Sequence, residues 1–277
     1  MTFKDMLVHL DDSKGSSARL EAAAALARVH GAHLTGIYIL PTYDLYLYAE
    51  VYAGPELIEA ERQAAESRAK EKEIAFRNIT QKEQLSAKWH SVEGEPAYQF
   101  NRHAHCCDLV IIGQADARDP YTLSGGFSSH VVLGAGRPTL IIPYIGLTKL
   151  PGKRVLVAWN ASREAARAVH DALPFLVSAQ TVSIITLNSS VEKASEYESA
   201  IDKLRTHLAR HGISATTDKL PVNDIEVGEA LLSRAADENM DLIVMGAYGH
   251  SRLREIILGG TTQHLLKHMT VPVLLSH

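Results

Sequence analysis

The sequence predicts an α/β chain of two tandem, doubly wound domains, each built on a five-stranded parallel sheet. Three observations lead there. The chain repeats itself, strands alternate with helices of ten to twenty residues, and its apolar strands do not alternate with polar positions. The repeat is plain at three places. Asp108-Leu109-Val110-Ile111-Ile112-Gly113 resembles Asp241-Leu242-Ile243-Val244-Met245-Gly246, 133 residues later. Pro138 before Thr139-Leu140-Ile141-Ile142 matches Pro272 before Val273-Leu274-Leu275. Leu7-Val8-His9-Leu10-Asp11-Asp12-Ser13 matches Leu156-Val157-Ala158-Trp159-Asn160-Ala161-Ser162 at an offset of 149. The first copy therefore holds about 16 extra residues between its first and fourth strands, and Pro41–Pro55, with four tyrosines, has no match in the second copy.

The second copy reads as strands at about 153–159, 181–187, 214–220, 241–246 and 272–276. Helices read at about 162–178, 192–211, 225–239 and 259–268. Ala165, Ala168, Val169, Ala172 and Leu173 fall on one face of the first of these helices, as in a helix laid on a sheet, and Ser162 is placed to cap it. Leu242-Ile243-Val244-Met245 is apolar throughout, the pattern of a parallel strand covered on both faces. Ala22–Ala25 is a small-residue patch suited to close helix–sheet packing, and the charged run from Glu59 to Lys72 reads as a solvated helix face with Glu66 paired to Lys70. Gly146–Gly152 marks the boundary, giving domains 1–146 and 152–277.

With 22% charged residues and a formal net charge of −4, the composition gives no basic stripe for nucleic acid. No apolar run approaches the ~20 residues of a membrane span. The N-terminus lacks the regions of a signal peptide. The two cysteines, Cys106 and Cys107, are adjacent, which suits neither a disulfide nor a zinc cage and points to a reducing compartment. The expectation is a cytoplasmic protein. His103 and His105 beside these thiols read as the end of a helix against a buried strand rather than a metal site, and His264 and His268 read as polar positions on one helix face.

In such sheets ligands bind beyond the carboxyl ends of the strands, where strand order reverses. The loops after strands one and four should therefore carry the function. After strand four of the second copy come Gly246-Ala247-Tyr248-Gly249, nine further residues, and Gly259-Gly260-Thr261-Thr262. Glycines let backbone approach a ligand, and a helix start offers free N–H groups and a favourable dipole to an anion. Thr261 and Thr262 add hydroxyls, and His250, Arg252 and Arg254 can reach phosphate oxygens. Neither a P-loop nor a dinucleotide fingerprint is present. On spacing alone, tight turns around a helix start explain these glycines as well as a phosphate cradle does.

The spacing G-x2-G-x9-G after the fourth strand resembles the ATP-binding signature of universal stress proteins, and the tract from Asp241 through Leu253, with Val271-Pro272-Val273-Leu274, is similar to the C-terminal half of that family. The resemblance covers both halves. It implies an adenine nucleotide alpha hydrolase-like fold with strand order 3-2-1-4-5. It also implies that Asn160, with Ala158 at the close of strand one, meets the adenosine portion, that backbone near Leu187 meets adenine, and that the glycines with a following Ser/Thr hold ribose and phosphates.

Both copies depart from the pattern. Asn160 stands where the family has Asp, and Gly260 where Ser/Thr is expected, with Thr261 one step on. The first copy keeps Asp11 but reads Gly113-Gln114-Ala115-Asp116, with a carboxylate in place of the second glycine. Ser124–Ser129 is similar to the pyrophosphate loop of ATP pyrophosphatases but follows the wrong strand and lacks its acid. ATP, with or without Mg2+, is thus expected in the second domain and no nucleotide in the first. No catalytic residue is expected, hydrolysis or autophosphorylation at Thr261 or Thr262 being at most weak. The alternative is an interaction scaffold without nucleotide, its tyrosine-rich insertion meeting a protein partner. By analogy with family dimers that pair through strand five, Thr139–Ile142 and Val273–Leu275 would join the halves as an internal pseudo-dimer, and further homodimerisation is compatible with this.

Overall fold

The computed structural model describes residues 2–40, 55–123, 126–188, 194–221, 227–247 and 260–277. The tyrosine-rich segment up to residue 54 lies outside them, as do Gly249, His250, Arg252 and Gly259. The first half runs β1 (Asp5–Leu10), α1 (Ser16–His30), β2 (His33–Leu40), α2 (Pro55–Lys82), β3 (Ala87–Glu93), α3 (Pro96–Ala104), β4 (Leu109–Gly113), α4 (Gly126–Gly134) and β5 (Thr139–Ile142). The second runs β6 (Arg154–Ala158), α5 (Arg163–Asp171), α6 (Leu173–Leu176), β7 (Thr181–Asn188), α7 (Ala194–Arg210), β8 (Ala215–Pro221), α8 (Val227–Asp237), β9 (Leu242–Gly246), α9 (Gly260–His268) and β10 (Val273–Ser276).

The strands form one ten-stranded sheet in the order β3-β2-β1-β4-β5-β10-β9-β6-β7-β8. Each half is parallel with internal order 3-2-1-4-5, so the reversal of strand order falls between the first and fourth strands of each. The halves meet through β5 and β10, which pair antiparallel with Leu140 opposite Leu274 and Ile141 opposite Val273. All four residues are fully buried. The strand-five pairing expected from the sequence is what joins the halves, and it converts two sheet edges into an internal ladder.

Side-chain alternation sorts the core into two layers. Val8, Ile111, Leu140, Val157, Val244 and Leu274 face the layer that holds Leu20, Leu26 and Leu173. Leu7, Ile112, Ile141, Ile243 and Leu275 face the opposite layer with Phe100, Val131 and Leu265. Both layers run continuously across the joint. Phe175 of the second half also packs on Phe3 of the first, with ring centroids 5.3 Å apart.

Two aspartates at the repeat offset hold the starts of the central strands. Asp241 is buried, and its carboxylate accepts from the backbone N–H groups of Gly152, Lys153 and Arg154 at 2.8–3.1 Å. Asp108 accepts from Lys4 and Asp5 in the same way. The segment between the halves is packed: Leu147 and Leu150 lie against the core, and Pro151 and Gly152 are buried.

Two expectations need correction. The predicted helix 162–178 is two helices broken at Ala172, because Pro174 lacks the N–H that would continue the ladder to His170. Glu66 pairs with Arg62, one turn back, rather than with Lys70. The cysteines also differ in setting. Cys107 is buried, with its thiol pushed up to about 12 by burial, while Cys106 is exposed. Among the described residues, no helix is long and apolar enough to cross a membrane.

Candidate functional site

The two crevices outside the carboxyl ends of the first and fourth strands start from the same turn. In the second half, Asn160 Oδ1 accepts from the Ser162 N–H at 3.1 Å. Ser162 Oγ then accepts from the Ala165 N–H at 3.1 Å, the N-cap bond of α5. In the first half, Asp11 Oδ1 accepts from the Ser13 N–H at 3.1 Å. Between Asn160 and Ser162 the chain passes through Ala161 at φ 58°, a left-handed conformation unusual for alanine. That turn leaves Asn160 exposed at the mouth of the crevice, its amide nitrogen without a bond among the described residues.

The crevices differ in what fills them. In the first half His9 is buried, its ring 4.8 Å from Phe127 and 5.8 Å from Phe100 by centroids. Burial holds its pKa down, at about 4, against the opposing pull of Asp11 3.6 Å away. Arg19, also buried, donates through Nη2 to Asp11 Oδ1 at 2.8 Å. Burial alone would raise the Asp11 pKa, but Arg19, His9 and Ser13 bring it to about 2. Asp11, the residue that the resemblance would assign to adenosine, is thus engaged inside its own half. In the second half the same offsets place Ala158 for His9, Ala168 for Arg19 and Thr261 for Phe127. Bulk in one crevice is matched by small side chains in the other.

Of the residues singled out from the sequence, Ala158, Asn160, Gly246, Gly260, Thr261 and Thr262 are described, with the backbone of Leu187. Leu187 lies on β7, two residues beyond Ile185, which pairs with Ala158. Thr262 is buried in the first turn of α9, Thr261 is half-buried and Gly260 exposed. Gly246 owes its identity to packing: a Cβ there would stand 2.5 Å from the backbone nitrogen of Ala165. Its counterpart Gly113 lies directly under the Arg19 guanidinium. A ligand is therefore not needed to explain either glycine. At Gly260, by contrast, a Cβ would meet nothing within 4 Å among the described residues.

The first half encloses a cavity of about 380 Å³ between the turn at Ser13–Gly15, the loop Gln114–Thr122 and Tyr144. Asp119 closes one side, buried and accepting from the Lys14 and Tyr121 N–H groups. Asp116, read from the sequence as a bar to phosphate, is ion-paired with Arg118. Gln114 has a role the sequence did not suggest. Its side-chain amide donates to the carbonyls of Leu266 and Lys267 at the end of α9, and its carbonyl accepts from the Tyr144 N–H. It joins the first-half cavity to the helix whose opposite end carries Gly260, Thr261 and Thr262. His9, Arg19, Phe127 and Gln114 all escaped sequence reasoning, although laying the halves side by side residue by residue exposes each of them against Ala158, Ala168, Thr261 and Ala247.

Comparison with known proteins agrees with this architecture. Residues 2–143 and 152–277 each match the universal stress protein family. A universal stress protein of Synechocystis is 28% identical over 175 residues, 60% of this chain and 57% of that protein. One from Methanocaldococcus jannaschii is 32% identical over 102 residues, 34% of this chain and 61% of the relative. The chain thus spans less than two thirds of either relative. Among solved structures, a universal stress protein from Archaeoglobus fulgidus DSM 4304 superposes with a TM-score of 0.75 at 18% identity, over 98% of this chain and 97% of its own. A functionally unknown protein from Pseudomonas aeruginosa PAO1 superposes with a TM-score of 0.61 at 15% identity, over 99% and 92%. At those identities the superpositions speak for the fold. The family match, found once in each half of a sheet that repeats the order 3-2-1-4-5, carries the conclusion that the chain belongs to the universal stress protein family.

Proposed function

We propose that this chain is a stress-response regulator that takes an adenine nucleotide, ATP or a close relative, as a regulatory ligand in its second half. The observation that carries the reading is the contrast between crevices: Ala158, Ala168 and Thr261 stand where His9, Arg19 and Phe127 fill the first. Asn160 would meet the adenosine portion with both a donor and an acceptor. Backbone near Leu187 would meet the base. The start of α9, with Gly260, Thr261 and Thr262, would meet phosphate oxygens through N–H groups, hydroxyls and helix dipole. Gly249, His250, Arg252 and Gly259 complete the proposed cradle on sequence grounds. A bound nucleotide supplies a triphosphate for Mg2+. Among the described residues, no three His, Cys, Asp or Glu side chains gather into a metal-holding group, so the ion would arrive with the phosphates. On this reading hydrolysis is slow, and occupancy rather than turnover is what the nucleotide contributes.

The test is calorimetric titration of nucleotide-stripped protein with MgATP, beside Gly259→Asp and the double variant Ala158→His with Thr261→Phe. The double variant gives the second crevice two of the three side chains that fill the first. Micromolar binding by the parent, lost in both variants, is the expected result. Absence of binding up to millimolar ATP would refute the reading and favour an interaction scaffold.

A further inference from the structure

The first-half cavity is built around an unusual group. Arg19 is only 3% exposed, and a guanidinium carries five N–H donors. One of them is used, in the bond from Nη2 to Asp11. Nε is fully buried and has no partner among the described residues, and no hydrogen bond from Nη1 occurs among them. Buried donors are nearly always satisfied, because leaving one without a partner forfeits its hydration with nothing in return. Arg19 lines the cavity, and Nη1, which unlike Nε is not fully buried, is the idle donor that a ligand there would reach. The start of α1 borders the same space, and Gly15 gives it no side-chain cap, whereas α3 and α5 are capped by Glu95 and Ser162.

Charge and shape narrow the ligand. Lys14, Arg19 and Arg118 stand against Asp11, Asp116 and Asp119, a balance of zero. Asp116 is already taken by Arg118, and Asp119 by two backbone N–H groups. A single negative charge on the ligand can be met by Arg19, whereas a triphosphate would bring several negative charges to a lining whose charges already balance. The lining is also apolar at Ile142 and Pro143 and aromatic at Tyr144, over whose ring the Arg118 guanidinium lies at 5.4 Å. We propose that the first-half cavity is a binding site for a small monocarboxylate with an apolar or aromatic body, its carboxylate held by the idle Nη1 donor of Arg19. The site is distinct from the nucleotide crevice proposed for the second half.

The test is amide NMR of the full chain, titrated separately with butyrate, benzoate, benzamide, inorganic phosphate and AMP. Saturable shifts at the Lys14, Gly15, Asp119 and Tyr144 amides are expected with butyrate or benzoate and not with the neutral benzamide. Arg19→Met should weaken that binding at least about tenfold, the scale of a lost charge-assisted bond. Because Arg19→Met alone strands the Asp11 carboxylate, the double variant Asp11→Asn with Arg19→Met serves as its folded partner, and the benzamide comparison needs no variant. The proposal is overturned if neither carboxylate shifts these amides up to about 10 mM, a free energy of only about −2.7 kcal/mol. It is equally overturned if benzamide, phosphate or AMP binds there at least as tightly, or if loss of Arg19 changes nothing. Shifts at Ala158 and Thr262 report the second half separately, so failure of one reading is distinguishable from failure of the other.

Discussion

Replacing His9 with leucine should abolish a defined part of the acid sensitivity of the fold. His9 is 2% exposed and packed among Phe100 and Phe127, and burial is the main reason its pKa falls from 6.5 to about 4. Above pH 6.5 the ring is neutral in both folded and unfolded chains, and it adds no pH dependence. As pH falls below 6.5 the unfolded chain takes up a proton that the folded chain refuses until about pH 4, so folding stability is lost across that window. The full shift corresponds to about 3 kcal/mol, of which about 2.5 kcal/mol should be gone by roughly pH 4.5. For a chain of this size that is a fall of about 5–10 °C in the melting midpoint. The measurement is urea unfolding of parent and His9→Leu at several pH values from 7.5 to 4.5. At pH 7.5 the two should agree within about 1.5 kcal/mol, since a buried ring with an unpaired Nδ1 is exchanged for an apolar side chain. At pH 4.5 the variant should have lost about 2.5 kcal/mol less than the parent. Other histidines titrate in both proteins and cancel in the difference. Parallel stability profiles from pH 6.5 to 4 would refute the reasoning, because they would mean that His9 is protonated in the folded chain.

Asp241→Ala should destabilise the fold by about 3 kcal/mol in urea, one unit for each of the three N–H groups left unpaired, while Asp108→Ala, exposed and serving two, should cost about 1 kcal/mol. Gly246→Ala, whose Cβ would press on the backbone of Glu164 and Ala165, should cost about 2 kcal/mol in thermal unfolding, and Gly260→Ala, in a helix and with no described residue within 4 Å of the added Cβ, should be neutral or mildly stabilising. Gln114→Ala should speed hydrogen exchange in the last turn of α9 several-fold by removing about 1 kcal/mol of capping, with the sheet amides unchanged.

The strands were legible because burial on both faces leaves the same apolar tracts in each copy, whereas their order and the strand-five joint came from the resemblance to the family, since an apolar tract does not say which strand lies beside it. Ser162 as a cap was legible because the cap and the helix it serves are neighbours in sequence. The break at Ala172 was signalled by Pro174 but outweighed by the apolar periodicity that continues through Leu173. The pairing of Arg19 with Asp11 was not legible, because an arginine one turn into a helix looks like surface until the loop before it is folded back. Gly246 misled for a related reason: sequence shows that a side chain is unwelcome, not whether a ligand or a neighbouring helix occupies the place. Gln114 was hidden by distance, since its partners at Leu266 and Lys267 lie over 150 residues away.

The antiparallel ladder between Thr139–Ile142 and Val273–Leu275 has a consequence for stoichiometry. Two separate chains paired through such a strand would come apart on dilution. A tether fixes the effective concentration of one half for the other in roughly the millimolar range, whatever the amount of protein present. The two partners therefore always meet one to one and never as two copies of the same half. Under that arrangement a duplicated unit is released from having to do everything its twin does: one crevice can fill with His9, Arg19 and Phe127 while the other keeps Ala158, Ala168 and Thr261, and neither change is diluted by mispairing.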